Sequence, residues 1–285
     1  MMSETPAVKA PADAFAFGRN WQRYVEAYLD PERIAIAMRS LNDLIEEDLA
    51  GRTFIDIGAG SGLFSLCAYQ AGATDVVSVD VDPDSVAACR ELRGRSGNPR
   101  NWAIREGSVL DADFVGELVP GDIVYSWGVL HHTGDMYTGI RQAARLVKAG
   151  GLFVIAIYNR ATGRFLDSDR WWKIKRRYNH SNRAAQRVME AVFFCYWTAM
   201  RLRARQNPVR IAREYKKNRG MALKTDLIDW LGGYPYEYAT ADEIVRFCRD
   251  ELGLEVVKVL SNPPTGTGNN QYVFRRAAES VEEAA

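Results

Sequence analysis

Short apolar runs alternate along the first half of the chain with segments whose apolar residues recur every three or four positions. The apolar runs are 53–57, 75–80 (D-V-V-S-V-D), 102–105, 122–127 (D-I-V-Y-S-W) and 152–158. Each has the length and β-branched character of a buried strand. Helical spacing covers about 31–49, 63–70, 83–93 and 135–148, the last stopped by Gly150-Gly151. Two helices open on an Asp-Pro pair, Asp30-Pro31 and Asp82-Pro83. Asp accepts from free N–H groups of the first turn, and Pro fits a position whose N–H has no partner. Apolar strands separated by helices imply right-handed crossovers and a parallel sheet covered on both faces.

The pattern breaks after Asn159. Residues 160–239 are basic and aromatic, with helical stretches and no convincing strand. It returns at Thr240-Ala241-Asp242-Glu243, which fits a capping box opening a helix to about Leu252. Two more strands follow, at 254–260 and 271–274. The linker between them, with Pro263-Pro264 and Gly266-Thr267-Gly268, is short enough for an antiparallel return. The prediction is an α/β domain with a seven-stranded, mostly parallel sheet, an antiparallel last strand and a mainly helical insertion after the fifth. The expected divisions are a disordered tail (1–13), a core (14–159), a basic lid insertion (160–239), completion of the core (240–276) and a second disordered tail (277–285).

Composition changes this picture in one place. Lys plus Arg number 37 and Asp plus Glu 36, a net charge of +1. Residues 160–219 alone carry 17 basic and 4 acidic residues, so that stretch stands at +13 and the remainder at −12. An uneven field of this kind bears on partners rather than on fold. No apolar run approaches the roughly 20 residues of a membrane span, and the start lacks the basic-then-apolar pattern of a secretory signal. Cys67, Cys89, Cys195 and Cys248 are scattered, without a Cys-x-x-Cys pair. They suggest neither a disulfide framework nor a zinc site, and the expected compartment is the cytoplasm.

The first strand ends in Asp56-Ile57-Gly58-Ala59-Gly60-Ser61-Gly62. The dinucleotide fingerprint G-x-G-x-x-G needs its third small residue at Leu63 and does not fit. The observed D-x-G-x-G-x-G, with an acid 22 residues after Gly58 at Asp80, resembles the class I S-adenosylmethionine-dependent methyltransferases. The likeness runs from about Asp30 to Tyr158 and resumes from Thr240 to Arg275. It implies a Rossmann-like fold, S-adenosyl-L-methionine as cofactor, and an antiparallel seventh strand between the fifth and sixth. It also implies cofactor contacts from Asp56, Gly58, Ala59 and Gly60, with Asp80 and Val81 at the ribose. Ser108, Val109 and Asp111 would lie at the adenine, where Ser108 stands in place of the family's common acid and Asp111 is offered for its role. Trp127 would line the methionine end. Phe15-x-Phe17-Gly18-x-Asn20-Trp21, L-H-H-T-G-D at 130–135, Ile157-Tyr158-Asn159 and Gly232-Gly233-Tyr234-Pro235-Tyr236-Glu237 narrow the resemblance to a bacterial branch often labelled after quinone-type small-molecule methyltransferases. Fold does not set substrate, so that label supplies no quinone.

A hydroxyl or ammonium acceptor must lose a proton, which calls for a base. His131 and His132 are two of three histidines and follow the fourth strand. They are read either as base or as a pair that holds a loop, with His132 placed ahead of His131. Asp229, Glu237 and Tyr158 stand behind them, and His180 is read as a surface residue. No carboxylate or His spacing suggests a metal. Among Phe15, Phe17, Trp21 and Tyr24, Trp21 is expected to reach the pocket. On the acceptor side stand Tyr158, Arg176, Arg177, Asp229, Tyr234 and Tyr236. The expectation is methyl transfer to a small, anionic or amphipathic acceptor at O or N. The alternatives are a lipid, quinone or glycan intermediate met at a membrane through the basic insertion, and a non-catalytic cofactor binder with a nucleic-acid surface. The chain has no recognisable RNA-binding module, which ranks nucleic acid last.

Overall fold

The computed structural model describes Phe15 and residues 17–163, 167–215, 223–265 and 268–278. Seven strands form one sheet in the order β3-β2-β1-β4-β5-β7-β6. They are β1 (Thr53–Ile57), β2 (Asp75–Asp80), β3 (Trp102–Glu106), β4 (Gly121–Trp127), β5 (Val147–Tyr158), β6 (Leu254–Leu260) and β7 (Asn269–Arg276). β1 to β5 pair in parallel, and β7 runs antiparallel between β5 and β6. The sheet is covered on both faces. One core gathers Ile55, Val124, Phe153 and Phe274; the other gathers Phe54, Trp102, Tyr125 and Val154. Alternate residues of one strand point to opposite faces, so adjacent residues such as Phe54 and Ile55 serve different cores.

Helices α1 (Gly18–Ala27), α2 (Pro31–Ile45), α3 (Leu63–Gln70), α4 (Pro83–Arg95), α5 (Ala112–Gly116) and α6 (Met136–Arg145) belong to the first half. Asp30 accepts from Arg33 N at 2.8 Å and Asp82 from Asp84 N at 2.9 Å, each cap being worth about 1 kcal/mol. Helix α2 stops at Ile45, short of the expected Leu49, because Glu46 turns left-handed at φ 55° and its N–H closes on Asn42 O. The expected helix over 135–148 is also shorter. Leu146 O accepts from Gly121 N at 2.8 Å, which draws the chain into β5 five residues early. Gly150, at φ 74°, carries β5 through the resulting irregularity beside β4.

The second half adds α7 (Ser168–Asn179), α8 (Arg183–Arg203), α9 (Pro208–Glu214) and α10 (Leu223–Gly232) between β5 and α11 (Ala241–Arg246). Thr240 and Glu243 form the reciprocal capping box of α11, and the helical run continues as one π turn over Phe247–Glu251. Asn159 and Ala239 pair as an isolated bridge, with Arg160 N donating to Ala239 O and Ala239 N to Tyr158 O, both at 3.0 Å. The helical excursion therefore leaves and re-enters the sheet at one point. It has its own small core of Trp171, Tyr178, Leu231 and Tyr236. Both expected tails, 1–13 and the last seven residues of 277–285, lie outside the described residues.

Candidate active site

β1 runs straight into the glycine turn, and α3 begins at Leu63. Gly58 N and Ala59 N both donate to Val79 O, at 2.7 and 3.0 Å, which ties the turn to the end of β2. At Gly58, φ is 75° and an added Cβ would lie 2.3 Å from Val129 Cγ1. At Gly60, φ is 54° and a Cβ would lie 2.9 Å from Trp21 Nε1. Both positions need a backbone that L side chains rarely adopt, and neither leaves room for one.

Asp80 closes β2 beside this turn. Its Oδ2 accepts from Gly60 N and its Oδ1 from Asp82 N, both at 2.9 Å. Each carboxylate oxygen keeps a lone pair for a ligand hydroxyl. Burial pushes Asp80 up to about 6 and Asp56, under the turn, up to about 7. Asp56 ends a buried relay: Trp102 Nε1 donates to Ser78 Oγ at 2.8 Å, Ser78 Oγ to Ser65 Oγ at 2.7 Å, and Ser65 Oγ to Asp56 Oδ2 at 2.6 Å. Serines on a helix and a strand carry no pattern signal, and the sequence reading missed this support.

A cavity of about 1490 Å³ spans the turn and the helical excursion. That exceeds the roughly 300–1,000 Å³ of a single small-molecule pocket, leaving room for two ligands side by side. Of the residues expected at the cofactor, Asp56, Gly58, Ala59, Gly60, Asp80 and Val81 line it; so do Ser108, Val109, Trp127 and Trp21. Asp111 is not among the lining residues. It caps α5, accepting from Asp113 N and Phe114 N at 3.1 Å, and Gly107, Ser108, Val109 and Leu110 are the residues of that loop that line the cavity.

The two histidines separate. His132 lines the cavity, and its Nδ1 lies 2.6 Å from Pro235 O. A carbonyl oxygen only accepts, so Nδ1 carries the proton and Nε2 holds the lone pair. Burial holds His132 down to about 3. His131 is fully buried and does not line the cavity. Its Nδ1 accepts from Tyr158 N at 3.3 Å, its carbonyl accepts from Glu237 N at 2.9 Å, and its ring centre lies 3.9 Å from that of Tyr158, the rings tilted by 41°. It braces the loop and has no access to a ligand. Glu237 is also committed, accepting from Gly134 N and Met136 N.

Asp229, on α10, faces the same space. Its Oδ1 accepts from Asn20 Nδ2 at 2.6 Å, and burial pushes it up to about 8. Gly233 holds it against the histidine: a Cβ there would lie 2.7 Å from His132 Cε1 and 2.8 Å from Asp229 O.

The N-terminal segment straps core to excursion. Gly18 N donates to Asp82 Oδ2 at 2.9 Å, Phe15 N to Tyr234 O at 2.9 Å, and Trp21 covers Gly60. Phe15, Phe17 and Trp21 line the cavity, whereas Tyr24 is wholly in the core. The four motifs that carried the narrower resemblance thus meet around one space.

On the acceptor side, Tyr158, Asp229 and Tyr234 line the cavity. Tyr236 does not; it is buried in the small core of the excursion. Arg176 and Arg177 are exposed and turned away, because α7 directs Trp171, Lys175 and Tyr178 inward at helical spacing. The arginine at the cavity is Arg201 on α8, beside Phe193, Trp197 and Met200. Sequence reading also missed Lys175, fully buried, with Nζ 4.3 Å from the ring centre of Trp230 and 4.8 Å from that of Tyr236. It donates to Trp230 O, and burial drives it well below the usual lysine range. Among the described residues no group of three His, Cys, Asp or Glu could hold a metal ion.

Comparison with known proteins bears on this geometry. A family model described as a methyltransferase domain matches residues 55–155. Over 119 residues the chain is 32 % identical to a ubiquinone biosynthesis O-methyltransferase of Methylobacterium sp. (strain 4-46), covering 42 % of this chain and 46 % of that one. Over 105 residues it is 42 % identical to a ribosomal protein L11 methyltransferase of Aeromonas hydrophila, covering 37 % and 35 %. The chain spans less than half the length of these curated relatives. An O-methyltransferase family protein from Burkholderia thailandensis superposes with a TM-score of 0.52 at 17 % identity, covering 92 % of this chain and 69 % of that one. The magnesium protoporphyrin IX methyltransferase of Synechocystis PCC 6803, solved with bound SAH, superposes at 0.51 with 13 % identity, covering 91 % and 94 %. At such identities these likenesses show the fold alone. The glycine turn and Asp80 lie within the matched residues, whereas β6 and β7 lie beyond them. Residues 55–155 thus match a methyltransferase domain, and around them the chain has the fold of solved methyltransferases.

Proposed function

We propose that this protein transfers a methyl group from S-adenosyl-L-methionine to O or N of a small acceptor with an apolar, aromatic-sized body and an anionic group. The observation that carries the reading is one continuous cavity, with the glycine turn and Asp80 at one end, an aromatic wall at the other, and His132 and Asp229 between them. S-adenosylmethionine supplies, when bound, an electrophilic methyl on a sulfonium. The residues present fit it: the side-chain-free turn at Gly58 and Gly60, two free lone pairs on Asp80, and Trp21 over the turn.

The remaining work falls to the chain. Trp171, Phe193, Trp197 and Trp230 offer ring faces that align a flat acceptor and exclude water. Arg201 offers a fork for a carboxylate or phosphate. His132 presents Nε2 as proton acceptor. A weak base suffices there, because an acceptor O–H or N–H turns strongly acidic as the new bond to carbon forms. Asp229, raised by burial to about 8, holds its proton near neutral pH and becomes a second proton acceptor only above that value. We assign His131 and Glu237 to positioning. Four free cysteines fit a reducing cytoplasm.

The test has two parts. S-adenosylhomocysteine binding is measured by calorimetry, and label is followed from methyl-tritiated S-adenosylmethionine to phenols, carboxylic acids and amines bearing an acidic group. Binding together with label on one acceptor class supports the proposal. Absence of S-adenosylhomocysteine binding, or binding with transfer to none of the three classes, would sink it.

A further inference from the structure

Helix α8 has two opposite faces. Phe193, Trp197 and Arg201 line the cavity on one side. With about 3.6 residues per turn, the other side presents Ala184, Val188, Val192, Cys195, Ala199 and Leu202. All six are exposed, and Val188, Val192 and Leu202 are 62 %, 63 % and 59 % exposed. This stripe contains no charged residue. Arg187 and Arg203, both exposed, flank it. Residues 183–214 hold seven arginines against Glu190 and Glu214. Glu190 receives the Tyr178 hydroxyl at 2.6 Å and Glu214 pairs with Arg210 at 3.5 Å, and the stretch keeps a net charge of +5. Among the described residues Arg187, Arg203 and Arg205 make no ion pair. No helix of the described residues is long and apolar enough to cross a membrane.

We propose that the outer face of α8 docks on an anionic lipid bilayer, with the helix lying along the interface. An uncharged apolar stripe edged by arginines is the pattern that seats a helix at the boundary of headgroups and acyl chains. Charge complementarity selects this occupant over a second copy of the chain. Two copies joined through the same face would set arginine against arginine, whereas acidic headgroups attract each one.

The experiment is flotation of the purified protein with phosphatidylcholine vesicles, with and without phosphatidylglycerol. The expected result is co-flotation with the anionic vesicles only, and release in molar salt, where the screening length falls to about 3 Å. Val192→Asp with Leu202→Asp should cut the bound fraction about tenfold or more. The thermal melt and S-adenosylhomocysteine affinity should stay as in the parent, since both side chains are exposed. Arg187→Ala with Arg203→Ala should weaken binding without touching the stripe. Three results overturn the proposal: no flotation with anionic vesicles, flotation of the aspartate variant at the parent level, or a dimer in sedimentation velocity that the aspartate variant dissolves.

Discussion

His132 Nδ1 lies 2.6 Å from Pro235 O, across 103 residues of chain. This hydrogen bond sets the tautomer and aims the lone pair of Nε2 away from Pro235. If that nitrogen receives the acceptor's proton, His132→Ala lowers turnover by about 10²–10⁴-fold. Affinity for S-adenosylhomocysteine should stay close to the parent value. Equal loss of both would mark the ring as a cofactor holder. Because burial holds His132 down to about 3, the rate should show no acid limb from this group near pH 6.5.

Asp80 gives a pH dependence of binding. Its carboxylate is the acceptor form, and its value is raised to about 6, so cofactor affinity should be full above pH 7 and fall as pH drops through 6. Asp80→Ala should weaken S-adenosylhomocysteine by about 1.5–3 kcal/mol and flatten that pH profile. Calorimetry across pH 5–8 checks both points, and a parent profile that is flat over this range contradicts the assignment.

Asp229 links pH to stability. Its folded-state value is raised to about 8, above that of an unfolded aspartate. Between roughly pH 4 and 8 the native state therefore holds a proton that the unfolded chain has lost, and stability falls as pH rises through this window. Asp229→Asn keeps an acceptor for Asn20 and removes the titration. The variant should melt higher than the parent at pH 8 and show little difference at pH 4. Parallel melting curves across the window would exclude the linkage.

Gly233 separates His132 from the end of α10. Gly233→Ala adds a methyl 2.7 Å from His132 Cε1 and 2.8 Å from Asp229 O. Overpacking of this kind costs about 1–3 kcal/mol. The turnover number should fall more than S-adenosylhomocysteine affinity does, since the glycine turn is elsewhere. A fully active variant with a parent-like melt would show that the loop yields.

The arginines divide by direction. Arg201→Ala should raise KM for an anionic acceptor by about tenfold, the loss of one charge-assisted hydrogen bond. Arg176→Ala with Arg177→Ala should leave that KM unchanged, because both side chains face away from the cavity. Steady-state kinetics on the two variants separates the positions, and the reverse result would place the acceptor outside the cavity.

Local physics decided much of this protein. Strands at 53–57 and 75–80, the Asp-Pro helix starts and the Thr240–Glu243 capping box are each set by residues within one turn of themselves, and they stand where the pattern puts them. The glycine turn and Asp80 were legible for the same reason, since a steric demand and a strand-end acid are written at short range. The boundary of β5 was not legible. A bond from Gly121 N to Leu146 O overrides helical spacing, and its two ends are 25 residues apart in sequence. The different surroundings of His131 and His132 were equally out of reach. Neighbours in sequence, one enters the core under Tyr158 and the other meets Pro235, and only packing from three separate segments distinguishes them. The same holds for Arg176 against Arg201, and for Lys175. Whether a basic side chain on a helix faces water, a cavity or a box of rings depends on what lies across from it, and that is a property of the folded chain.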